Sequence, residues 1–352
     1  MQIASTKLKR LVEMIFHAAG CRPLEDERIA HYLVEANLVG HDSHGVIRIP
    51  YYVRMLQDGK VIANRSVEVL FETESLLVLD GNYGFGQVIG EQSMKLAIAK
   101  AEKTGVCILA LRHCAHLGRI GDLPLIATSA GMISIHFVNT SGIGVLVAPH
   151  GGIDRRLSAN PIAVGIPVAG EPPIILDIST CSIAEGKIRV AFNKGEKVPA
   201  GSIIDADGKP TDDPRIFYAD PPGAILPLGG HKGYGLGLIT DILAGALTGS
   251  GCTDPSSATR LLNGMLAIVL DPRKFPTEYP FGEEVRRFVQ FVRSSRPVAN
   301  GGEILMPGEV EERTKAKRQR EGIPIDENTW SQVTDVARSL GIPEEEIRAA
   351  AS

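Results

Sequence analysis

The apolar residues of this chain change their spacing near residue 66, and that change limits the available folds more than any other feature. Before it the spacing is helical. Leu8, Leu11, Val12 and Phe16 form one stripe that Gly20 stops; Ile29, Leu33, Val34 and Leu38 form a second, opened by Pro23, Glu25 and Asp26 and closed by Gly40. Pro50 stands where a third helix would make its first turn, and that helix closes at Gly59. After residue 66 come short runs rich in Val, Ile and Leu: VEVLFET, SLLVLDG, VCILALR, MISIHFVN, AVGIPV and PIILDIS. Among these runs QVIGEQSMKLAIAKAEKTG returns to helical spacing. Beyond residue 230, KGYGLGLITDILAGALTGSG reads as a buried Gly- and Ala-rich helix and GMLAIVLDPRKF as a strand and turn, with terminal helices around 282–295, 309–321 and 328–350. The pattern predicts an α/β chain in three stretches. Residues 1–65 are helical, 66–230 form a mixed α/β core, and 231–352 return helices to pack on the first stretch.

Composition narrows the function. With 352 residues, 44% hydrophobic and 22% charged, the chain can bury a sizeable core. A net charge of −4 and an aromatic content of 5% give no footprint for nucleic acid. The basic residues at 313–320 are interleaved with Glu311, Glu312 and Glu321 and read as a solvated helix face. Five cysteines without a CxxC pair speak for free thiols in a reducing compartment. The first residues carry charges inside their apolar positions, unlike a secretion signal, and no run approaches the roughly 18 apolar residues of a membrane span.

Three strips carry chemistry. The first is His41-Asp42-Ser43-His44-Gly45 with Arg48 and Tyr52 after it, in a connection between helices. An imidazole passes protons near neutral pH. A guanidinium grips a carboxylate with paired bonds, and Ser43 or Asp42 stands ready to orient the imidazole. That set meets the needs of reducing a 2-oxo acid; as a bland alternative, Asp42 or Ser43 merely caps the next turn. The second strip, Arg112-His113-Cys114-Ala115-His116-Leu117-Gly118-Arg119-Ile120-Gly121, follows a strand, where α/β proteins commonly bind ligands. His116 is a second acid/base candidate, Gly118 and Gly121 admit close backbone approach, and Arg119 suits a phosphate. The HxxH spacing would also fit a metal-dependent hydrolase, but it lacks the Glu of the zinc-protease helix and a third ligand, so no metal is expected. The third strip, Gly229-Gly230-His231-Lys232-Gly233-Tyr234-Gly235, enters a helix. It reads either as an anion site at the helix N-terminus or as glycines for close packing. Asp80-Gly81-Asn82-Tyr83-Gly84-Phe85-Gly86 has GxxGxG spacing rather than the dinucleotide GxGxxG and reads as a turn seating a helix on a sheet.

In their order these strips resemble the malate/L-lactate dehydrogenase family, distinct from the Rossmann-fold lactate dehydrogenases. The resemblance runs from ANLVGHDSHGVIRIPYYV through HLGRIG, SANPIAVGIP, LDISTCSIAEGKIRVA and GGHKGYGLGL to ILMPGEVEERTKAKRQREGIPID and Trp330. Within the family the chain is most similar to broad-specificity 2-hydroxycarboxylate dehydrogenases. The resemblance implies an NAD(P)H-dependent oxidoreductase interconverting 2-oxo and 2-hydroxy acids, of malate, lactate, 2-hydroxyglutarate or aryl-lactate type. A ureidoglycolate or sugar-acid dehydrogenase of the same family is the alternative. It implies His44 as acid/base with Ser43 as relay partner, His116 as a second active-site imidazole that can take the donor role, Arg48 as carboxylate clamp and Tyr52 as pocket wall. Gly118, Arg119, Ile120, Asp177, Ile178, Ser179, Thr180, Cys181, His231, Lys232, Asn263, Gly308, Glu309, Val310 and Glu311 match its cofactor positions, for NAD or NADP. It further implies a non-Rossmann mixed-sheet NAD(P)-binding domain between N- and C-terminal helices, as in sulfolactate dehydrogenase, and a cytoplasmic homodimer with the substrate site in the first segment. Where imine-reducing members carry HGD, this chain has Glu185-Gly186-Lys187, which points to 2-oxo acids over cyclic imines.

Overall fold

The computed structural model describes residues 1–142, 144–254, 260–298 and 302–351. The N-terminal stretch forms α1 (Ser5–Ala18), α2 (Glu25–Leu38) and α3 (Ile49–Gln57). Leu8, Leu11, Val12, Ile15 and Phe16 recur every three or four residues and are all buried, which fixes the face α1 presents to the core. α2 begins with Glu25, Asp26 and Glu27, acids that suit the positive end of a helix. These helices share one hydrophobic core with residues from the far end of the chain, among them Ile323, Ile325, Val333, Ala337 and Ile347. Gln2–Ile3 pairs antiparallel with Ile323–Pro324 beside it.

A seven-stranded sheet forms the centre. Its strands are β1 (Glu68–Glu72), β2 (Leu76–Asp80), β3 (Val106–Cys114), β4 (Ile133–Gly142), β5 (Ile162–Ile166), β6 (Ile174–Ile178) and β7 (Leu261–Leu270). The spatial order is β1-β2-β3-β7-β4-β5-β6. β2 and β3 run parallel; every other pair is antiparallel, so the sheet is mixed and not doubly wound. β7 reaches the middle from late in the chain, with Leu270 opposite both Val106 and Ile133. Cys107, Leu109 and Leu111 of β3 and Met265, Ala267 and Val269 of β7 point to one side. There they meet Ile89, Met94, Ala97 and Ala101 of α4 (Gly86–Thr104) and Leu123 and Ala127 of α5 (Asp122–Ser129). Each large side chain buried this way contributes about 1.5–3 kcal/mol. A one-residue slip of β7 would turn its three inward residues to the other face.

A smaller core, with Val147, Leu157, Ile183, Ile188, Phe217 and Ile225, surrounds α6 (Glu185–Lys194). The Gly- and Ala-rich segment becomes α7 (His231–Asp241), continued by a π-helical turn over Ile242–Ala246. The pattern predicts a buried helix, and only one face of it is buried. Gly233, Gly237, Thr240, Asp241, Ala244 and Gly245 are buried, whereas Leu236, Leu238, Ile239, Ile242 and Leu247 are exposed. Small residues let the inner face approach the sheet: a Cβ on Gly264 would lie 2.0 Å from the Ala244 carbonyl oxygen. Asp241 seals the contact by accepting from Asn139 (2.9 Å), Asn160 (3.1 Å) and Thr253 (2.6 Å).

α8 (Phe281–Arg293) and α9 (Glu309–Glu321) follow. The last predicted helix, 328–350, divides into α10 (Glu327–Ser339) and α11 (Glu344–Ala351). Gly341 at φ +79° lets the backbone leave α10, and Pro343 cannot continue it. No helix among the described residues is long and apolar enough to cross a membrane.

Candidate active site

The His41–Arg48 strip folds into two single 3₁₀ turns, Asp42–His44 and Val46–Arg48, joined at Gly45. Asn37, near the end of α2 and 2% exposed, sets that shape. Its Nδ2 donates to the Asp42 carboxylate (2.7 Å), and its Oδ1 accepts from the Val46 amide (2.8 Å). A Cβ on Gly45 would lie 2.1 Å from Asn37 Oδ1, so a side chain there collides with the clamp. Arg48 Nε donates to the Ser43 carbonyl (2.6 Å), and its two terminal nitrogens make no hydrogen bond among the described residues. Gly186 abuts the strip from α6: a Cβ there would meet Ser43 Cβ at 2.3 Å.

α9 braces the strip from the other side. His41 Nε2 lies 3.1 Å from the Glu311 carboxylate, and Arg318 donates to both Asp42 oxygens (2.6 and 3.1 Å) and to the Asn37 carbonyl. Lys315 pairs with Glu35 of α2. The basic run expected to be solvated therefore sends two of its cations inward, where acids of α2 and of the strip meet them.

His116 comes from the loop after β3. Gly86, the first residue of α4, allows this loop to sit close, since a Cβ there would lie 2.2 Å from the His116 carbonyl oxygen. The GxxGxG segment is the turn that seats α4, with Asn82 and Tyr83 at positive φ. Tyr52 Oη lies 2.6 Å from His116 Nδ1, and Gln87 Nε2 donates to the same oxygen at 3.0 Å. The His44 and His116 rings stack with centroids 5.6 Å apart and planes 17° from parallel. Ser43 Oγ is 3.1 Å from His44 Nδ1. The two histidines of HxxH diverge: His113 turns to Asp80 (2.8 Å) and stacks on Tyr83. Among the described residues no group of three or more His, Cys, Asp or Glu is placed to hold a metal.

Electrostatics follow from burial. Desolvation pushes His116 down to about 3, with the Arg48 charge adding to it. His44 is also held well below the usual histidine range, by burial first and then by His116 and Arg48. Both rings are therefore neutral at pH 7. Burial pushes Tyr52 up to about 12, so it stays a phenol.

The remaining predicted residues form adjoining turns. The Leu117 amide donates to Asn263 Oδ1 (2.8 Å), and Asn263 is otherwise spent on the Asn139 carbonyl and Thr140, so it holds the loop from within. Gly118 takes φ +81° and leads to Arg119 and Ile120. Arg119 was expected to face a phosphate; instead it is 4% exposed and donates to Asp122 (2.7 Å), because a buried guanidinium needs an acid. Asp177 accepts from the Gly121 amide (2.8 Å), tying that loop to the end of β6 at Ile178. Ser179 and Cys181 bond each other (3.3 Å), and the Leu228 amide donates to the Thr180 carbonyl (2.9 Å). α7 thus starts against Thr180, with His231 and Lys232 exposed at its N-terminus. A Cβ on Gly233 would lie 2.6 Å from the Thr180 carbonyl oxygen, so this glycine serves close packing. The Pro307 carbonyl accepts from the Ile175 amide (2.9 Å) and Gly308 takes φ +99°. This brings Glu309, exposed Val310 and Glu311 beside the same sheet edge.

Comparison with known proteins decides what this arrangement belongs to. The family model for malate/L-lactate dehydrogenase matches residues 3–334. The chain belongs to the malate/L-lactate dehydrogenase family. It is 38% identical over 346 residues to hydroxycarboxylate dehydrogenase B of Escherichia coli, covering 97% of this chain and 95% of the relative. An E. coli structure assigned as a malate/lactate dehydrogenase superposes with a TM-score of 0.95 at 37% identity over 100% of both chains. Sulfolactate dehydrogenase from Methanocaldococcus jannaschii gives 0.88 at 35% identity, again over 100% of both. The protein is thus an oxidoreductase that interconverts 2-oxo and 2-hydroxy acids, and the hydrolase alternative finds no support.

As a malate/L-lactate dehydrogenase family member the chain uses residues that sequence reading passed over. Asn37 and Gln87 lie in helices whose pattern reads as an apolar face, and Arg318 lies in a charged run that reads as solvated. A signal existed for one of them: Gln87, Glu91 and Ser93 put polar groups on the buried side of α4. A polar residue on a buried face needs a partner, and for Gln87 that partner is Tyr52.

Proposed function

We propose that this dehydrogenase reduces the carbonyl of a 2-oxo acid at the His44–His116 pair, with Arg48 holding the carboxylate and NAD or NADP as cofactor. The observation that carries the reading is the stacked imidazole pair beside a guanidinium whose outer fork makes no hydrogen bond among the described residues. That fork accepts a carboxylate bidentately. A bound anion offsets the Arg48 charge that depresses both rings and returns basicity to them. Ser43 orients His44 through Nδ1, and Tyr52 with Phe85 walls the pocket against water.

The adjoining turns suit a dinucleotide. Lys232 is exposed, makes no ion pair among the described residues and opens an 11-residue helix, a donor set that fits a pyrophosphate. Backbone at Gly118, Ile120, Ile178, Ser179, Thr180, Gly308 and Val310 would line the rest. When bound, the cofactor supplies hydride to the carbonyl carbon. A homodimer in a reducing, cytoplasmic setting belongs to the same proposal. The uncharged stripe Leu236, Ile239, Ile242 and Leu247 supports the dimer, and five free thiols support the setting.

The test is a panel of oxaloacetate, 2-oxoglutarate and phenylpyruvate with NADH and with NADPH, followed by nucleotide absorbance. We expect His44→Gln to lower kcat by about 10²–10⁴-fold and Arg48→Ala to raise KM at least tenfold. Undiminished turnover in both folded variants overturns the assignment.

A further inference from the structure

Two imidazoles face one site, and their supports differ. Behind His44 stands the Ser43 hydroxyl, which either gives or takes a hydrogen bond. Behind His116 stands a directed chain. Gln87, 3% exposed, donates from Nε2 to Tyr52 Oη, which lies against His116 Nδ1. A phenol has one hydrogen. With the amide already donating to its oxygen, that hydrogen has a single acceptor in reach, Nδ1 of His116. The ring proton then sits on Nε2, which makes no hydrogen bond among the described residues. The reverse chain, with Gln87 Oε1 accepting from Tyr52, would leave both hydrogens of a buried amide unpaired. As it stands one amide hydrogen is paired, and the other is left with the Oε1 acceptor; one orphaned donor costs less than two.

We propose that Gln87 is a positioning residue that sets this direction, so that His116 meets the substrate as a neutral ring aiming its N–H at the carbonyl oxygen, while His44 carries the proton that moves. The proposal rests on the reading of the site given above. Once substrate is bound, His44 takes up a proton from water and becomes an imidazolium; in the reduction its N–H bond breaks and the substrate O–H bond forms as hydride reaches the carbon, which leaves His44 neutral, while the His116 N–H stays intact. Electrostatics agree with this division. After burial, the charges that depress His44 are those of His116, Arg48, His41 and Arg119. A neutral His116 removes the first, a bound carboxylate offsets the second, Glu311 faces His41, and Asp122 pairs with Arg119. His44 is therefore the ring free to become charged.

The test reads the tautomer directly, by ring-nitrogen NMR of the full chain labelled with ¹⁵N-histidine, without ligand, His116 being assigned from His116→Asn. We expect the Nε2–H form in the wild type. In Gln87→Glu the carboxylate takes the Tyr52 hydrogen, and His116 is expected to switch to Nδ1–H. The kcat for 2-oxo acid reduction should then fall about 10–100-fold, the range seen when an orienting hydrogen bond is lost, with KM changed less than about threefold. Gln87→Leu, which keeps the packing and loses the direction, should give a mixture of the two tautomers. A wild type in the Nδ1–H form, or glutamate and leucine variants that both retain Nε2–H, overturns the proposal. Since the tautomer is read without substrate, a protein that shows the expected tautomers but reduces no 2-oxo acid refutes the reading of the site and leaves the chain's direction standing.

Discussion

Gly45 and Asn37 show how a single contact shapes the His41–Arg48 strip. The asparagine is buried, satisfies one carboxylate and one amide, and fills the space a Cβ at position 45 would need. Gly45→Ala is therefore expected to cost about 1–3 kcal/mol, the range for overpacking a tight site, and to lower turnover by displacing His44. In an Asn37→Ala background the collision is gone, so the same substitution should cost distinctly less. Denaturant unfolding of the two single variants and the double variant checks this; additive losses would show that the contact does not govern the turn. The pair also explains why the strip could be noticed in the sequence while its shape could not. His, Arg and Ser announce chemistry by type, whereas Asn37 is one polar residue in a helix, and its partner positions become visible only when the helix end and the strip meet.

At the scale of elements, α9 is the least expected brace. It buries no residue and is held by charges to α2 and to the strip. The hydrogen bond from His41, first among its causes, holds the Glu311 carboxyl below the ordinary glutamate value of about 4.3. A group whose folded value is lowered stabilises above its unfolded value, and that stabilisation fades as the pH falls through the lowered one. Glu311→Gln should therefore lower Tm at pH 7, and the gap to wild type should close on acidification below about pH 4. Thermal melts at several pH values give the answer, and a gap that stays constant would mean the carboxylate plays no part in docking the helix. The charge pattern of 309–321 was legible as a helix from its composition. That the helix docks through Lys315 and Arg318 was not, because a polar helix face looks the same whether water or an acid lies opposite.

For the whole molecule, the apolar stripe of α7 is the feature a lone chain leaves unexplained. Leu236, Ile239, Ile242 and Leu247 are 44–64% exposed on a segment whose one acid, Asp241, is buried. Such a surface suits a second copy of itself around a two-fold axis. Light scattering is expected to report a dimer for the wild type, and Ile239→Glu should shift it toward monomer with loss of activity. A monomeric, fully active wild type would contradict this.

Much of the architecture was readable in advance because it is local. Helical spacing before residue 66 and over 87–105, and short β-rich runs elsewhere after residue 66, reflect contacts between near neighbours, and they placed α1, α2, α3, α4 and the strands of the sheet within a few residues. The strips stood out for the same reason, since imidazole, guanidinium and hydroxyl groups carry their reactivity with them. Tertiary structure alone decided which strips meet. Tyr52 and His116 are 64 positions apart and His41 and Glu311 are 270 apart, and no local pattern encodes either pairing. It also decided that β7 enters the middle of the sheet, that Arg119 turns inward to Asp122, and that Gln87 directs the hydrogen bond on which His116 rests. Each of these depends on what lies across a contact, and the chain acquires that only when distant segments close on one another.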